Sequence, residues 1–505
     1  MLKRSNLPLI FAVLLFLLLF LAGWPFYQYI FDSDAIGYLT VARHYAAGRW
    51  NEAINGYWSP LHSWLAAPFV AAGFYELYVF KALNGCIGIL ILLVFANYLQ
   101  RYNFSKAQTM GLLLAAVVMV LHYAYYEVAA DILLVLFLLI YFLIVTNKDF
   151  TQSARLNLLV GVVGAFAYFS KTYAFVFFLL HFSWVHLFTA TPNRRNWSLG
   201  LIAFFALSLP WMVALSLKYD GITFGLSGKI NWSSYLVHER NADLIFFKPP
   251  YPQSTAWWED PYLYQKTFFT PFDSFQLFFH QIRVLLYNLQ QYLLSLNEIS
   301  HFAPFVLLLI VFDWLQNQNK LTKQLATFIL LFPLGYLLIH IETRFIWIFG
   351  LLLLPWVVQW WQQQCAAQKT KPWICKTIIT VSVLSFLAEP VNQLKDGVNK
   401  QKNWTLQAKM LQAKGIVGNS FSLSEQLDEG MIVAYQAGLR YYMPGPQKDF
   451  CREVLPQAKT SGIRWFLFFY RSESEKLQFW ESKYGMALPP PLLHENGIMV
   501  FDLFP

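Results

Sequence analysis

Long apolar runs recur along most of the chain and are separated by shorter polar segments. A helix needs about 20 apolar residues to cross a bilayer. On this criterion the pattern predicts a mainly α, polytopic membrane protein with about 11 to 13 transmembrane helices. The predicted spans lie near residues 8–29, 76–99, 108–125, 128–146, 156–169, 173–189, 198–219, 302–317, 324–341, 345–361 and 374–392.

One further stretch, residues 276–297, mixes Gln, Asn, His and Arg with its apolar residues. This mixture predicts an amphipathic helix that lies in the membrane interface. Counting it as a span would invert all later loops and place the basic cluster near Lys369 outside, against the positive-inside rule. With a cytoplasmic N-terminus, each inner segment holds at least two of the basic residues Lys3, Arg4, Arg101, Lys106, Lys148, Arg155, Arg194, Arg195, Lys320, Lys323, Lys369, Lys371 and Lys376.

This topology leaves three sizeable outer regions: residues 30–75, residues 220–301 and the segment from about 393. In the last, strand-like runs alternate with helix-like polar segments, which predicts an extracytoplasmic α/β domain over 393–505 after a transmembrane domain over 1–392. It contains no glycine-rich phosphate loop or nucleophile elbow, so a docking or acceptor-shaping role is the most that its sequence supports. The predicted strands are 415–417, 431–434, 464–470 and 498–501, and the predicted helices 422–427 and 472–483.

Composition excludes several classes of protein. The chain is 57% hydrophobic and only 13% charged, which excludes an ordinary soluble protein. Its net charge of +9 comes from short basic clusters between apolar runs, so nucleic-acid binding is rejected. Four well-separated cysteines indicate neither a zinc knot nor a disulfide framework. The first apolar run, preceded by Lys3 and Arg4, is interpreted as a retained signal anchor.

Ionisable residues gather at the outer ends of the predicted spans and form the candidate site. Such residues near a membrane are costly unless they are paired, solvated or used. Polar groups that were merely tolerated would scatter between both ends of the spans. The residues that come out together are Asp32, Asp34, Glu127, Asp131, Lys171, His340, Glu342 and Arg344.

Each of these residues also has a purely structural interpretation. Glu342 and Arg344 form an ordinary interfacial ion pair in that view, and Lys171 is a snorkelling anchor. Glu127 and Asp131, four residues apart and on one helix face, cap or solvate a helix start. For Asp32, capping of a helix over 35–47 is favoured over catalysis, because Asp is a preferred N-cap residue.

Several motifs, in their order along the chain, resemble the GT-C glycosyltransferases over about residues 8–390. The closest resemblance is to the branch that holds the dolichyl-phosphate-mannose protein mannosyltransferases and the bacterial aminoarabinose transferase of lipid A. It implies a multi-span fold with an outward-facing active site, a polyprenyl-phosphate-linked sugar as donor, and inverting transfer. The motifs are a first-loop acid followed by YLTVAR, then NGYWSPL, EVAAD, YFSKTYAF and ETRF.

The resemblance also implies roles for individual residues. Asp34 matches the first-loop acid that acts as catalytic base, with Asp32 as the fallback, because DSDA here replaces the two adjacent acids of many members. Lys171 and Arg344 match the basic residues near the donor phosphate. Further site-shaping residues implied by position are Glu127, Asp131, Glu342, Tyr57, Trp58 and His62.

The chemistry of such a transfer agrees with these roles. A base is needed for the acceptor hydroxyl, and cations are needed for the phosphate charge that develops. Arg43 is a further candidate for phosphate binding. Tyr57 and Trp58 stack on sugar or line the lipid entrance, or else belong to an interfacial aromatic belt. Acids together with His62 and His340 offer ligands for a divalent metal, but no spacing demands one, so the sequence establishes no cofactor.

Two other classes of function stay open at this point. A transporter or lipid flippase would use membrane acids as relays, although repeats and mid-bilayer charges are not evident. A non-catalytic glycan-assembly scaffold would work through its C-terminal domain. The expected partners are a polyprenyl-phosphate sugar, membrane lipid and a lipid, glycan or protein acceptor. The expected location is a bacterial cytoplasmic membrane, with a cytoplasmic N-terminus and the site and C-terminal domain in the periplasm.

Overall fold

Helices make up most of the structure, a computed structural model that describes residues 7–126, 128, 130–188, 192–237, 244–265, 267–316, 319–445, 448–482, 485 and 487–504. Every predicted span corresponds to a helix. The helices of the membrane part and its outer regions are α1 (Leu7–Tyr27), α2 (Ser33–Ala46), α3 (Trp50–Ala53), α4 (Leu61–Ala71), α5 (Glu76–Leu99), α6 (Lys106–Tyr126), α7 (Asp131–Val145), α8 (Ala154–Ser170), α9 (Tyr173–Leu187), α10 (Arg194–Lys218), α11 (Ser227–Leu236), α12 (Phe275–Ile299), α13 (Ala303–Gln316), α14 (Lys320–Leu331), α15 (Leu334–Ile339), α16 (Trp347–Ala367), α17 (Pro372–Ser385) and α18 (Ala388–Gly397).

The number of spans by length and composition is lower than the sequence predicts. Within the described residues, seven helical stretches are long and apolar enough to cross a membrane. The pair α12 and α13, bent by 101°, would make an eighth. Three of the predicted spans are the shorter apolar helices α7, α8 and α9, of 15, 17 and 15 residues. The protein is a multi-pass membrane protein, and the higher span count depends on these three helices.

Close helix packing in the membrane part relies on small residues. Gly161 of α8 lies directly against Gly200 of α10, where a Cβ would overlap the Gly200 carbonyl oxygen. Small residues at a helix interface let two backbones approach closely, which is the usual way that apolar helices associate in lipid. The helix α12 forms over the range predicted for the interfacial segment. It exposes Phe275, Phe279 and Leu286, as expected for a helix lying in an interface.

The first outer helix, α2, is largely enclosed by other parts of the molecule. Buried residues run along it from Ala35 to Tyr45, and it packs against α4 and the C-terminal part of the chain. Gly37 is required there, because a Cβ at this position would overlap the Trp58 indole ring. Packing on all sides fixes the orientation of α2, and with it the position of Asp34 in its first turn.

The C-terminal part forms a small α/β unit around a mixed five-stranded sheet of order β3-β2-β5-β7-β6. Strand β2 runs parallel to β3 and β5, whereas β7 is antiparallel to β5 and β6. Its domain boundary stays a prediction. The elements are α19 (Lys402–Ala413), β2 (Asn419–Ser422), α20 (Leu427–Ala437), β3 (Arg440–Tyr441), β4 (Met443–Pro444), α21 (Leu455–Thr460), β5 (Trp465–Phe469), α22 (Glu473–Glu481), β6 (Leu493–Glu495) and β7 (Ile498–Asp502), and a short strand β1 (Phe246–Phe247) precedes them.

The sequence predicted this unit correctly in part. The runs 464–470 and 498–501 are strands, and 472–483 contains a helix. The run 431–434 was predicted as a strand and instead lies in α20, because a short apolar run fits a buried helix as well as a strand. The first strand begins at Asn419, two residues after the predicted run 415–417 ends.

Several contacts hold the C-terminal unit against the outer regions. Strand β1, from the second outer region, pairs antiparallel with β4. The backbone N–H of Tyr441 donates to the Thr255 carbonyl at 2.6 Å. The Gln401 side chain accepts a hydrogen bond from the Phe31 N–H at 2.9 Å, one residue before Asp32. The end of the chain therefore packs beside the predicted site.

Candidate active site

The guanidinium of Arg344 lies at the centre of three carboxylates. Its Nη2 is 2.7 Å from Asp34 Oδ2, its Nε is 2.6 Å from Glu342 Oε2, and its Nη1 is 3.4 Å from Asp32 Oδ2. The Arg344 side chain is only 12% exposed, whereas the three acids are 25–38% exposed. One largely buried cation is therefore shared by three acids, each of which is partly exposed to solvent.

Local sequence explains how the two first-loop acids are placed. Asp32 is the N-cap of α2, and its Oδ1 accepts from the Ala35 N–H at 2.8 Å. Asp34 lies in the first turn, where the helix dipole favours negative charge. Asp34 Oδ1 also accepts from the Trp258 indole N–H at 3.0 Å. Asp32 therefore has the capping role that its residue type favours, and Asp34 is oriented by two donors, Arg344 and Trp258.

A second acid–cation pair lies next to the first. Lys171 Nζ is 2.5 Å from Asp131 Oδ1 and 3.7 Å from the centroid of the Phe345 ring. The guanidinium carbon of Arg344 is 5.5 Å from the same centroid. Two cations from distant parts of the chain therefore lie against one aromatic ring, which favours both charges through its quadrupole.

The electrostatics of the cluster follow from burial and mutual charge. Burial lowers the pKa of Lys171, and the positive charge of Arg344 adds to this effect, while Asp131 opposes it. Burial would raise the pKa of Glu342, but the hydrogen bond from His340 and the charge of Arg344 outweigh it and lower the pKa to about 2. Burial, followed by the charges of Asp131 and then Asp34, raises the pKa of Tyr38 well above its usual value. The pKa of Tyr38 is therefore raised by an acid of each acid–cation pair.

An aromatic wall adjoins Asp34. The Tyr57 ring is 4.7 Å from the Trp58 ring and 5.2 Å from the Trp258 ring, centroid to centroid. The Trp58 indole N–H donates to the Trp258 carbonyl at 2.9 Å. Tyr57 and Trp58 are thus near the acid through Trp258, a residue that the sequence did not single out. Its position within WWEDPY of the second outer region gave no signal beyond the presence of aromatics.

Two of the predicted site residues lie apart from the cluster. Arg43 is nine residues after Asp34 on the same helix, a rise of about 13.5 Å. It forms an ion pair with Glu76 and lies 4.4 Å over the Tyr435 ring. His62 is fully buried, 4.5 Å from the Phe80 ring. These contacts of Arg43 and His62 are with residues other than Asp34, and Glu127 lies outside the described residues.

A small cavity borders the cluster at Asp32. It has a volume of about 70 Å³ and is walled by Tyr27, Tyr125, Lys400 and Gln401 among others. Among the residues that the structure describes, no group of three or more His, Cys, Asp or Glu side chains is arranged to hold a metal ion. The arrangement can supply a base, two cations for an anionic ligand, and an aromatic surface.

Comparison with solved structures gives the fold a context. The chain matches an oligosaccharyltransferase of Archaeoglobus fulgidus in its apo form with a TM-score of 0.56 and 12% identity, covering 92% of this chain and 69% of that one. It matches ArnT of Cupriavidus metallidurans bound to undecaprenyl phosphate with a TM-score of 0.53 and 11% identity, covering 97% and 98% of the two chains. The apo form of the same ArnT gives a TM-score of 0.52.

Both neighbours are GT-C glycosyltransferases, so the predicted GT-C-like fold is confirmed. Identities of 11 and 12% show a common fold only. No protein-family model and no curated protein matches the chain. What the chain does must therefore be argued from the residues of the site.

Proposed function

We propose that this protein is a membrane glycosyltransferase that moves a sugar from a polyprenyl-phosphate-linked donor to an acceptor hydroxyl, with inversion at the anomeric carbon. The observation that carries the proposal is the 2.7 Å contact between Asp34 and Arg344 in a chain with this fold. A base and a cation in direct contact meet the two chemical needs of the reaction. One neighbour was solved with undecaprenyl phosphate bound, which supports a donor of this class.

Asp34 is the proposed general base. Its carboxylate takes the proton of the acceptor hydroxyl while that oxygen attacks the anomeric carbon. The bond from this carbon to the phosphate oxygen breaks, and its electron pair leaves with the polyprenyl phosphate. A single direct displacement inverts the anomeric centre and needs one base, unlike the carboxylate pair of retaining glycosidases.

Arg344 is the proposed principal phosphate ligand. It contacts three carboxylates, and Lys171 is paired with Asp131, so the site holds four acids and only two cations, an excess of two acids. An arriving phosphate competes for the guanidinium. As Arg344 turns toward the phosphate, the Oδ2 atom of Asp34 becomes available to the acceptor hydroxyl. Donor binding and exposure of the base are coupled in this scheme.

Lys171 is the proposed second cation for the phosphate. Its 2.5 Å contact with Asp131 keeps the ammonium in place beside Phe345. Fixed cations aimed at developing charge stabilise a transition state without reorganisation. Asp131 and Glu342 are then positioning residues that orient Lys171 and Arg344, and Tyr57 and Trp58 form the wall behind Asp34.

The proposed setting is the cytoplasmic membrane of a bacterium, with the site open to the periplasm. The support is the run of basic residues in every predicted inner segment, combined with the position of the whole cluster at the opposite ends of the helices. Asp32, Asp34, Asp131, Lys171, Glu342 and Arg344 all lie at these ends or in the turns between them.

The test uses purified full-length protein in detergent with a panel of radiolabelled polyprenyl-phosphate sugars. Asp34→Asn keeps the size of the side chain but removes the base. We expect sugar transfer to fall by about 10²- to 10⁴-fold, because that is the usual contribution of a general base. The matched control is Asp220→Asn, an exposed acid at the outer end of α10 with a left-handed φ of 52° that Asn also adopts.

Two outcomes contradict the proposal in different ways. Full activity of Asp34→Asn would remove Asp34 from the role of base. A wild-type protein that turns over no donor of the panel would favour the alternative interpretations as a lipid-sugar transporter or a glycan-assembly scaffold.

A further inference from the structure

A wide groove crosses the C-terminal unit between α19 and α22, with a volume of about 930 Å³. Its floor is formed by Phe468, Phe469 and Tyr470, where β5 ends, and Gln426 follows the end of β2. The parallel strands β2 and β5 therefore both end at this groove. In open α/β sheets, ligands bind outside the carboxyl ends of parallel strands. The volume is at the upper end of the roughly 300 to 1,000 Å³ of typical ligand sites.

The side-chain oxygen of one buried amide in the groove lacks a hydrogen-bond partner among the described residues. Gln407 of α19 is 4% exposed, and its Nε2 donates to the Asn496 carbonyl at 2.7 Å. Its Oε1 has no partner among the described residues. Buried polar atoms are almost always satisfied, so an orphaned acceptor that lines a groove indicates a donor supplied from outside the chain. A ligand hydroxyl is such a donor.

Aromatic and amide groups on α19 complete one wall of the groove. Trp404 is half-buried against the core of the unit, one turn before Gln407, and Asn403 is exposed beside it. A half-exposed indole next to amides is the usual way in which proteins bind the apolar faces and the hydroxyls of sugars at once.

The charge of the groove restricts its ligand. Four carboxylates line it, those of Glu425, Glu429, Glu473 and Glu475, against the single guanidinium of Arg471. Arg471 is itself 3.3 Å from Glu429. This excess of negative charge disfavours anionic chains, so an uncharged or cationic ligand fits.

The groove is connected to the candidate active site through one short segment. Lys400 and Gln401 line the cavity that borders Asp32, and Asn403 and Trp404 line the groove. Gln401 also binds the Phe31 backbone at 2.9 Å. The cavity beside Asp32 and the groove therefore share the segment 400–404.

We infer that this groove binds the acceptor, and that the acceptor is an uncharged or cationic, hydroxyl-rich saccharide chain. The inference rests on the proposed function for the meaning of acceptor, but binding of a saccharide in the groove is measurable without turnover. Trp404 stacks on a sugar ring, and the Oε1 of Gln407 accepts a hydrogen bond from a sugar hydroxyl.

The experiment measures binding of defined tetrasaccharides to the full-length protein in detergent by saturation-transfer NMR. The probes are chitotetraose and cellotetraose as uncharged chains, the glucosamine tetramer as a cationic chain, and the galacturonate tetramer as an anionic one. The variants are Trp404→Ala and Gln407→Met. Trp373→Ala, an exposed Trp on α17, and Gln412→Met, whose amide binds the Gln436 carbonyl elsewhere on α19, are the matched controls.

We expect at least one uncharged or cationic tetrasaccharide to bind wild type. Trp404→Ala and Gln407→Met should weaken it by about tenfold each, the value of one stacking or hydrogen-bonding contact, and the controls should not. Absence of saccharide binding, binding by both groove variants as tight as that of wild type, or preference for the anionic tetramer would each overturn the inference.

Failure of this inference is distinguishable from failure of the proposed function. If the protein hydrolyses the donor but binds no saccharide in the groove, the proposed transferase function stands and the inferred acceptor site is wrong. If saccharide binding depends on Trp404 but the protein turns over no donor, the groove is a saccharide site and the proposed transferase function is wrong.

Discussion

Two charged clusters lie at the outer ends of the predicted membrane spans, and they differ in how fully their polar groups are satisfied. In the first, the open cluster, Arg344 is shared among Asp32, Asp34 and Glu342, each of them 25–38% exposed. In the second, the closed cluster, Asp260 is fully buried beside Lys218. Both clusters combine acid and cation in the same outer layer, but only the first is open to an incoming ligand.

The closed cluster uses nearly all of its hydrogen-bonding capacity internally. Lys218 Nζ lies 2.5 Å from the Ile54 carbonyl, 2.9 Å from the Tyr251 hydroxyl and 3.3 Å from Asp260, which accounts for its three donors. Asp260 accepts from the hydroxyls of Tyr219, at 3.1 Å, and Tyr251, at 2.7 Å. A saturated pair of this kind holds the second outer region onto the end of α10.

The difference indicates how an ion pair that can bind a ligand is distinguished from one that only stabilises the fold. A cation shared among more acids than it can neutralise exchanges partners readily when an anion arrives. A cation whose donors are all used cannot do so without breaking the fold. The open cluster should therefore be sensitive in activity and the closed cluster in stability, and the following predictions test this division.

Asp260→Ala should produce the largest effect, and in stability. Lys218 would be left buried without its counter-ion, which typically costs about 3 to 5 kcal/mol. We expect a large drop in the thermal unfolding temperature in detergent, with activity per folded molecule retained. Replacing both partners, Asp260→Leu with Lys218→Met, should recover much of the loss, because an apolar pair is often no less stable than a buried ion pair. An unchanged unfolding temperature for Asp260→Ala would erase the distinction between the clusters.

Arg344→Gln should produce the next largest effect, and in activity. Loss of one donor to developing negative charge usually slows an enzyme by about 10²- to 10³-fold. We expect a loss of this size in sugar transfer, measured with the radiolabelled donor, and a smaller drop in unfolding temperature than for Asp260→Ala, because the acids of the open cluster stay partly solvated. Arg464→Gln, which breaks the Asp502 pair in the C-terminal unit, is the control and should retain activity. Equal losses in the two variants would mean that Arg344 has no special role.

The pH dependence of stability should differ in sign between the two clusters. Burial raises the pKa of Glu259, beside Asp260, to about 7, so the folded state binds a proton that the unfolded state releases between about pH 4.5 and 7. Stability from this group is therefore present at low pH and lost as the pH rises through 7. Glu342 has its pKa lowered to about 2, so its contribution is present above about pH 4.5 and lost as the pH falls toward 2.

The measurement for this prediction is thermal unfolding of wild type and Glu259→Gln at pH 5 and pH 8. Gln mimics the protonated acid, so the variant should match wild type at pH 5 and exceed it at pH 8, by at most roughly 3 kcal/mol. Glu342→Gln should instead be less stable than wild type at pH 6 and approach it at pH 3. A Glu259→Gln variant that is less stable than wild type at pH 8 would contradict the assignment.

Trp258→Phe should produce the smallest effect. It removes only the indole N–H that donates to Asp34 at 3.0 Å, and a single hydrogen bond to a charged group is worth about 1.5 kcal/mol or more. We expect transfer to slow by roughly tenfold, because Asp34 loses one of its two orienting donors. Trp257→Phe, whose indole contacts Met443 instead, is the matched control. If both variants behave alike, the effect comes from aromatic packing.

Much of the fold and part of the site could be predicted from the sequence. Runs of apolar residues locate the helices, and the charge of the short loops assigns their ends to two faces. Asp34 and Arg344 lie 310 residues apart in sequence, yet both were assigned to the same face by this reasoning. Their contact itself required the structure, because an assignment to one face does not fix which side chains meet.

Different physical reasons explain the residues that were missed or misplaced. The sequence offered Arg43 as a phosphate ligand because it could not show that the C-terminal unit packs on α2, where Tyr435 and Glu76 bind it. Asp260 and Trp258 were not predicted as functional or structural residues, because they lie in a loop rich in aromatic residues and proline that shows no helical or strand periodicity. The run 431–434 was too short for its period to separate helix from strand.

The long separation between Asp34 and its partners has a consequence for how the molecule is made. The first outer helix leaves the ribosome early, but Arg344 follows 310 residues later, and Tyr435 follows its partner Glu76 by 359. Until then Asp34 lacks the Arg344 guanidinium, and α2 lacks its packing against α20. A nascent or truncated chain that lacks Arg344 therefore cannot assemble the cluster around Asp34.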